Sequence, residues 1–101
     1  MVEKKYEVVW TKRSQLQMNG IFKQISKDSL QNAQKVLEDI ITAVHKAERN
    51  PEFYHPDKYK ENNDGSYRSF EKHRYRIAYR FSENTIRVLR VRHTSMEPKK
   101  Y

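Results

Sequence analysis

The sequence contains no cysteine. That excludes a disulfide framework, a thiolate nucleophile and thiolate ligation of zinc. It fits a reducing compartment, and the cytoplasm is the expected location. Glycine occurs only twice and proline three times, so there is no glycine-rich loop to cradle a nucleotide phosphate. No apolar run approaches the roughly 20 residues that span a bilayer. The opening residues, MVEKKYEVVW, lack a leader's apolar stretch and cleavage site. No membrane partner is expected. Acid is scarce beside base: 13 Asp and Glu stand against 21 Lys and Arg, a formal charge of +8. That excess does not choose a fold, but it favours an anionic partner, nucleic acid or an acidic protein.

What is present suffices for one domain over residues 1–101 with a small core. Residues 5–10, KYEVVW, are β-branched and aromatic and read as a strand. Ser14 and Gln17 stand at capping-box spacing, which predicts a helix starting at Ser14. Met18, Ile21, Phe22 and Ile25 form its apolar stripe. Asp28-Ser29 opens a second helix, with Leu30, Ala33, Leu37, Ile40, Val44 and Ala47 on one face and Asn50-Pro51 as its end. Residues 51–65 read as a surface loop. SYRSFE, HRYRIAYRFSE and NTIRVLRVRH then read as three strands, the last two joined by a tight turn at residues 82–85. The order is β-αα-βββ. It predicts an α+β fold, a mostly antiparallel sheet with an N-terminal helical hairpin on one face.

A two-residue turn between Ser82 and Thr85 pairs Phe81 with Ile86, Tyr79 with Val88 and Ile77 with Arg90 on the core side. The other side then carries Arg80–Arg87, Ala78–Leu89, Arg76–Val91 and Arg74–His93. Arg90 breaks the core face, which calls for an edge position or a register slip. The plain reading of the basic side is a solvated sheet. Against it, crowded guanidinium groups repel one another unless an anion lies between them, and arginine suits bidentate phosphate binding.

The four histidines, His45, His55, His73 and His93, show no metal-ligand spacing, and neither metal nor cofactor is expected. The first three read as structural or surface residues. His93 ends a strand on the basic side, and a histidine suits proton transfer near neutral pH. Metal-free RNA cleavage needs a base for the 2′-hydroxyl, a cation for the phosphorane and an acid for the leaving oxygen. Arg76 can be the cation, Asp57 or His93 the base, and His93 or Tyr101 the acid. Tyr101 can alternatively stack a nucleobase.

The β-αα-βββ order, the Trp10-Thr11 pair after the first strand, YRIAYRF and the ending VLRVRHTSMEPKKY resemble the RelE/ParE superfamily of bacterial toxins, over essentially the whole chain. The resemblance implies a growth-inhibiting toxin of a type II toxin–antitoxin system, the kind associated with plasmid stabilisation and neutralised by an antitoxin. The +8 charge and a sheet edge suit an acidic antitoxin chain that adds a strand or lays a helix on the hairpin. HPDKYKENNDG is similar to the loop of the RelE/YoeB-like branch, and the spacing of Asp57 and Arg76 matches that branch's acid and arginine. Here the acid is Asp and not Glu. His93 falls one position early, and Tyr101 is similar to a RelE-type C-terminal tyrosine. That branch implies a ribosome-dependent mRNA endonuclease, with Lys58, Lys60, Arg68, Arg74, Arg80 and Arg87 holding nucleic acid. RSFEKHRYRIAYRF and RVRH also resemble the ParE branch, with Arg68 in register. The ParE branch implies the alternative: a non-enzymatic inhibitor of DNA gyrase that binds through Arg68, the last strand and the tail.

Overall fold

The computed structural model describes residues 5–101. Residues 1–4, part of the segment read for a leader, lie outside the described residues. The elements are β1 (Glu7–Trp10), α1 (Lys12–Ser26), α2 (Leu30–His45), β2 (His55–Pro56), β3 (Tyr67–Lys72), β4 (Tyr75–Ser82) and β5 (Thr85–His93). The sheet order is β1-β5-β4-β3-β2. β1 runs parallel to β5, and the other neighbours are antiparallel. The two helices pack on one another and on one face of the sheet, the α+β arrangement expected. No helix among the described residues is long and apolar enough to cross a membrane.

The core is built where the apolar stripes meet. Met18, Val36, Ile40 and Val44 from the helices pack on Ile77, Val88 and Val91. Tyr79 is fully buried beside Ile86 and Ala47, and its hydroxyl donates to the Pro51 carbonyl at 2.6 Å. Each such aliphatic side chain contributes about 1.5–3 kcal/mol by leaving water.

Beyond shifts of one or two residues at the strand ends, three features differ from the sequence reading. α1 starts at Lys12, not Ser14. Thr11 is the cap, its Oγ1 accepting from the Ser14 N–H at 3.2 Å, and Ser14 returns its hydroxyl to the Thr11 carbonyl at 2.8 Å. α2 stops at His45, ahead of Asn50-Pro51, because the Lys46 N–H tightens onto the Thr42 and Ala43 carbonyls. The segment expected to be a plain loop contributes the two-residue β2 at the sheet edge. There Pro56, lacking an N–H, breaks no ladder.

The larger correction lies between β4 and β5. Phe81↔Ile86 and Tyr79↔Val88 pair as expected, and a bulge then shifts the register by one. The partners beyond it are Ala78↔Arg90, Ile77↔Val91, Arg76↔Arg92 and Tyr75↔His93. These replace the expected Ala78–Leu89, Ile77–Arg90, Arg76–Val91 and Arg74–His93. Leu89 is the extra residue. Unbroken alternation would drive the Arg90 charge into the core and Val91 out of it, at several kcal/mol. With the bulge, Val91 is 3% exposed in the core, and Arg90 joins the arginine side.

Candidate functional site

The side of the sheet away from the helices carries Arg76, Ala78 and Arg80 on β4 opposite Arg92, Arg90 and Arg87 on β5. Two segments cross it, the loop after β2 and the C-terminal tail, and each is held by its own residues.

In the loop, the Asn63 side chain acts as the staple. Its Oδ1 accepts from the Gly65 and Tyr67 N–H groups at 2.9 and 3.2 Å. Its Nδ2 donates to the Asp57 and Tyr67 carbonyls at 3.3 and 2.9 Å. Gly65 turns the chain at φ +95°, a conformation other residues rarely adopt. The staple fixes Asp57, which is only 3% exposed. Its Oδ1 accepts from the Tyr59 N–H at 3.0 Å.

The tail leaves β5 through a turn in which the Thr94 N–H meets the Arg74 carbonyl at 2.7 Å. Its last residue is docked. The Tyr101 N–H donates to the Tyr59 carbonyl at 3.0 Å, and its backbone oxygen accepts from the Glu61 N–H at 2.6 Å. Its hydroxyl donates to Asp57 Oδ2 at 2.6 Å. The Arg90 guanidinium lies over the Tyr101 ring at 4.2 Å, with Tyr67 edge-on at 5.9 Å and Lys60 Nζ at 5.5 Å. Burial pushes the Tyr101 phenol well above its ordinary pKa, and the Asp57 carboxylate adds to the rise. The phenol stays protonated at neutral pH.

Arg76 lies over the Tyr59 ring at 4.5 Å and reaches Glu71 at 3.3 Å. Asp57, Arg76, Arg90, Arg92 and Tyr101 line one cavity of about 20 Å³, room for about one water. The Nε atoms of Arg90 and Arg92 are buried without a hydrogen-bond partner. The fold thus brings Arg76, Asp57 and Tyr101 together. His93 reaches the wall of the same cavity, but the bulge has moved it off the arginine side. Its ring stands edge-on to Tyr75 at 5.2 Å. Its Nδ1 accepts from the Ser95 N–H at 3.0 Å and contacts the Ser95 hydroxyl at 2.6 Å, so the proton of the neutral ring sits on Nε2.

The other expected binding residues divide. Arg80 and Arg87 are exposed cross-strand partners on the arginine side. Lys60 lies over Tyr67 at 4.7 Å, and Lys58 over Tyr59 at 5.3 Å. Arg74 is exposed in the β3–β4 turn at φ 67°, past the end of the paired strands. Arg68 lies on the helix side, paired with Tyr79. Its guanidinium donates to the Gly65 and Tyr54 carbonyls at 2.8 and 3.1 Å, and its side chain is 13% exposed. It braces the loop from beneath and does not belong to the arginine face. Sequence reasoning missed Arg90, Arg92 and the tyrosines Tyr59 and Tyr67. The one signal for the arginines was the charge at position 90 interrupting an apolar alternation.

A family model described as the ParE toxin of the type II toxin–antitoxin system parDE matches residues 8–98. Among solved structures, a chain of the chromosomal ParDE toxin–antitoxin system from P. aeruginosa aligns with TM-score 0.69 at 15% identity. The match covers 88% of this chain and 96% of that one. A chain of the RelBE2 toxin–antitoxin complex from Mycobacterium tuberculosis aligns with TM-score 0.61 at 18% identity, covering 91% and 94%. At these identities the two structures speak for the fold alone. No curated protein matches the sequence.

Proposed function

This chain belongs to the family of ParE toxins of type II toxin–antitoxin systems, and from the side chains its fold brings together we propose a toxin that cuts mRNA on the ribosome, held in check by an acidic antitoxin. The observation that carries the reading is the seating of Tyr101. Its hydroxyl rests on the buried Asp57 carboxylate at 2.6 Å, inside a cavity walled by Arg76, Arg90 and Arg92. A protein that acts by adhesion alone has no need of a phenol–carboxylate pair ringed by guanidinium groups.

The chemistry closes on that pair. The 2′-oxygen attacks phosphorus as its proton passes to the Tyr101 oxygen and the tyrosine's own proton passes to Asp57. The P–O5′ bond breaks, and the proton returns through Tyr101 to the 5′-oxygen. The products are a 2′,3′-cyclic phosphate and a 5′-hydroxyl, with no net proton exchanged. A raised phenol pKa opposes a standing phenolate but not a concerted relay. The guanidiniums stabilise the extra charge on the phosphorane. His93, turned onto Ser95, is outside this path. The cavity is too small for a phosphate as it stands, so we assign its opening to docking on the ribosome.

The family match favours a second reading, non-enzymatic inhibition of DNA gyrase. With Arg68 engaged internally, that reading leaves β5 and the tail as the binding elements. One experiment separates the two: induce the toxin, map mRNA 5′ ends and measure plasmid supercoiling in the same cells. New 5′-hydroxyl ends with supercoiling unchanged are expected. Intact mRNA with lost supercoiling overturns the nuclease.

A further inference from the structure

A second, larger cleft lies on the same face, and Tyr101 and Arg90 line both. Its volume is about 570 Å³, within the range of ordinary ligand sites. Thr11 and Arg13 close it at the start of α1, Arg80 and Arg87 at the β4–β5 pair, and Tyr67 at β3. Four guanidinium groups line it and no Asp or Glu side chain does.

Three features of this cleft work against the free protein. Arg80 and Arg87 face each other across the strands, and like charges so placed repel. α1 opens on Lys12 and Arg13 with no acid in its first turn, although a helix N-terminus favours negative charge. The Nε of Arg90 is buried without a partner. An anion in the cleft relieves the first two directly and meets Arg90 through the outer part of its guanidinium. The rings of Tyr67 and Tyr101 also position the cations, with Arg80 over the first at 5.2 Å and Arg90 over the second at 4.2 Å.

We propose that this cleft is a phosphate subsite for single-stranded RNA, holding the nucleotide adjacent to the one cut at the Asp57–Tyr101 pair. The inference rests on the mRNA-cleaving reading. A glutamate-rich peptide would also meet the arginines. RNA is favoured because Tyr101 and Arg90 are a shared wall. Once the smaller cavity opens, a strand lying in the larger cleft continues into it, and its next phosphodiester meets Arg76 and Arg92. Tyrosine rings beside a basic groove are also what single strands use for stacking.

Arg13 and Arg87 are exposed, so R13Q/R87Q leaves the core intact. The test is a fluorescence-anisotropy titration of the full chain with a labelled 2′-O-methyl RNA, which cannot be cut, over a range of NaCl concentrations. Relative to wild type, R13Q/R87Q is expected to bind at least about tenfold more weakly at low salt. Its log–log salt dependence is expected to be shallower by about 1.4, two phosphate contacts at roughly 0.7 each. Y101F is expected to bind RNA while failing to cut mRNA on translating ribosomes. Equal binding by wild type and R13Q/R87Q, or displacement of the RNA by a glutamate-rich peptide at lower concentration than by unlabelled RNA, overturns the subsite. If Y101F still cuts while R13Q/R87Q loses binding, the proposed proton path fails and the subsite stands.

Discussion

Asp57 and Tyr101 are 44 positions apart in the chain and 2.6 Å apart at their oxygens. This contact joins the loop, the tail and the arginine face, so substitutions here separate chemistry from structure. Tyr101→Phe removes the hydroxyl and keeps the ring under Arg90. It is expected to lower mRNA cleavage by about 10²–10⁴-fold, the usual share of a proton-transfer group. The stability cost is about 1.5–3 kcal/mol, for a hydrogen bond to a charged acceptor. Cleavage on translating ribosomes and urea denaturation measure the two effects. The pH dependence has a definite sign. Burial, first, raises the phenols of both Tyr101 and Tyr79 in the folded chain. Their stabilisation is therefore fully present below the unfolded tyrosine value near pH 10 and is lost as pH rises through the folded values. Melting temperatures from pH 8 to 11 are expected to fall at the alkaline end, and less steeply in Tyr101→Phe. Each partner was legible in the sequence as a reactive residue. Their pairing was not, because neither periodicity nor spacing reports a contact between a loop and a tail.

At the scale of elements, the bulge at Leu89 decides which side chains face the core. Alternation alone placed Phe81, Tyr79 and Ile77 in the core correctly. It failed after Tyr79, where one inserted residue exchanged the two sides of β5. Arg90 inside an apolar alternation was the visible symptom. The cure, one extra residue, was not legible, because an edge position explains the same symptom. Deleting Leu89 removes the bulge and restores continuous pairing, with Ala78 still opposite Arg90 and Ile77 still opposite Val91, so each side chain beyond it keeps its side. The deletion is therefore expected to fold, as is Leu89→Ala, which keeps the extra residue and is expected to lose about 1 kcal/mol. Circular dichroism and urea midpoints check both. A deletion that does not fold would mean that the bulge does more than carry the extra residue. The N-terminus of α1 follows the same logic on a smaller scale. The sequence reading started the helix at Ser14, and its hydroxyl is used, but Thr11, the hydroxyl nearest the strand end, is the cap. Thr11→Ala is expected to cost about 1 kcal/mol.

Over the whole molecule, several of the acids are engaged away from the arginine face, where Asp57 and Glu71 are the exceptions. Asp39 meets His73 and Lys35, and the His73 hydrogen bond, foremost, holds its carboxyl below the ordinary value. Glu48 is likewise lowered, first by His45 and then by Lys5. Glu52 reaches Arg68 on the helix side. Among the described residues no carboxylate pairs with Arg13, Arg87, Arg90 or Arg92. The formal +8 is thus felt most on one surface, which composition could announce but not locate. Two opposing electrostatic contributions respond to salt. Screening weakens the exposed ion pairs, worth about 0–1 kcal/mol each, and it also weakens the repulsion among the crowded guanidiniums. At 0.1 M the screening length is about 10 Å, the scale on which neighbouring strands hold their arginines apart. If repulsion dominates, as the clustering implies, added salt stabilises the free toxin. Its melting temperature is expected to rise with NaCl, and to rise further with phosphate at equal ionic strength, since phosphate binds the arginines as well as screening them. R13Q/R87Q is expected to start from a higher melting temperature at low salt and to respond less to both anions. A melting temperature that falls with salt in the wild-type chain would mean that the ion pairs outweigh the repulsion, and the arginine face would then need no anion.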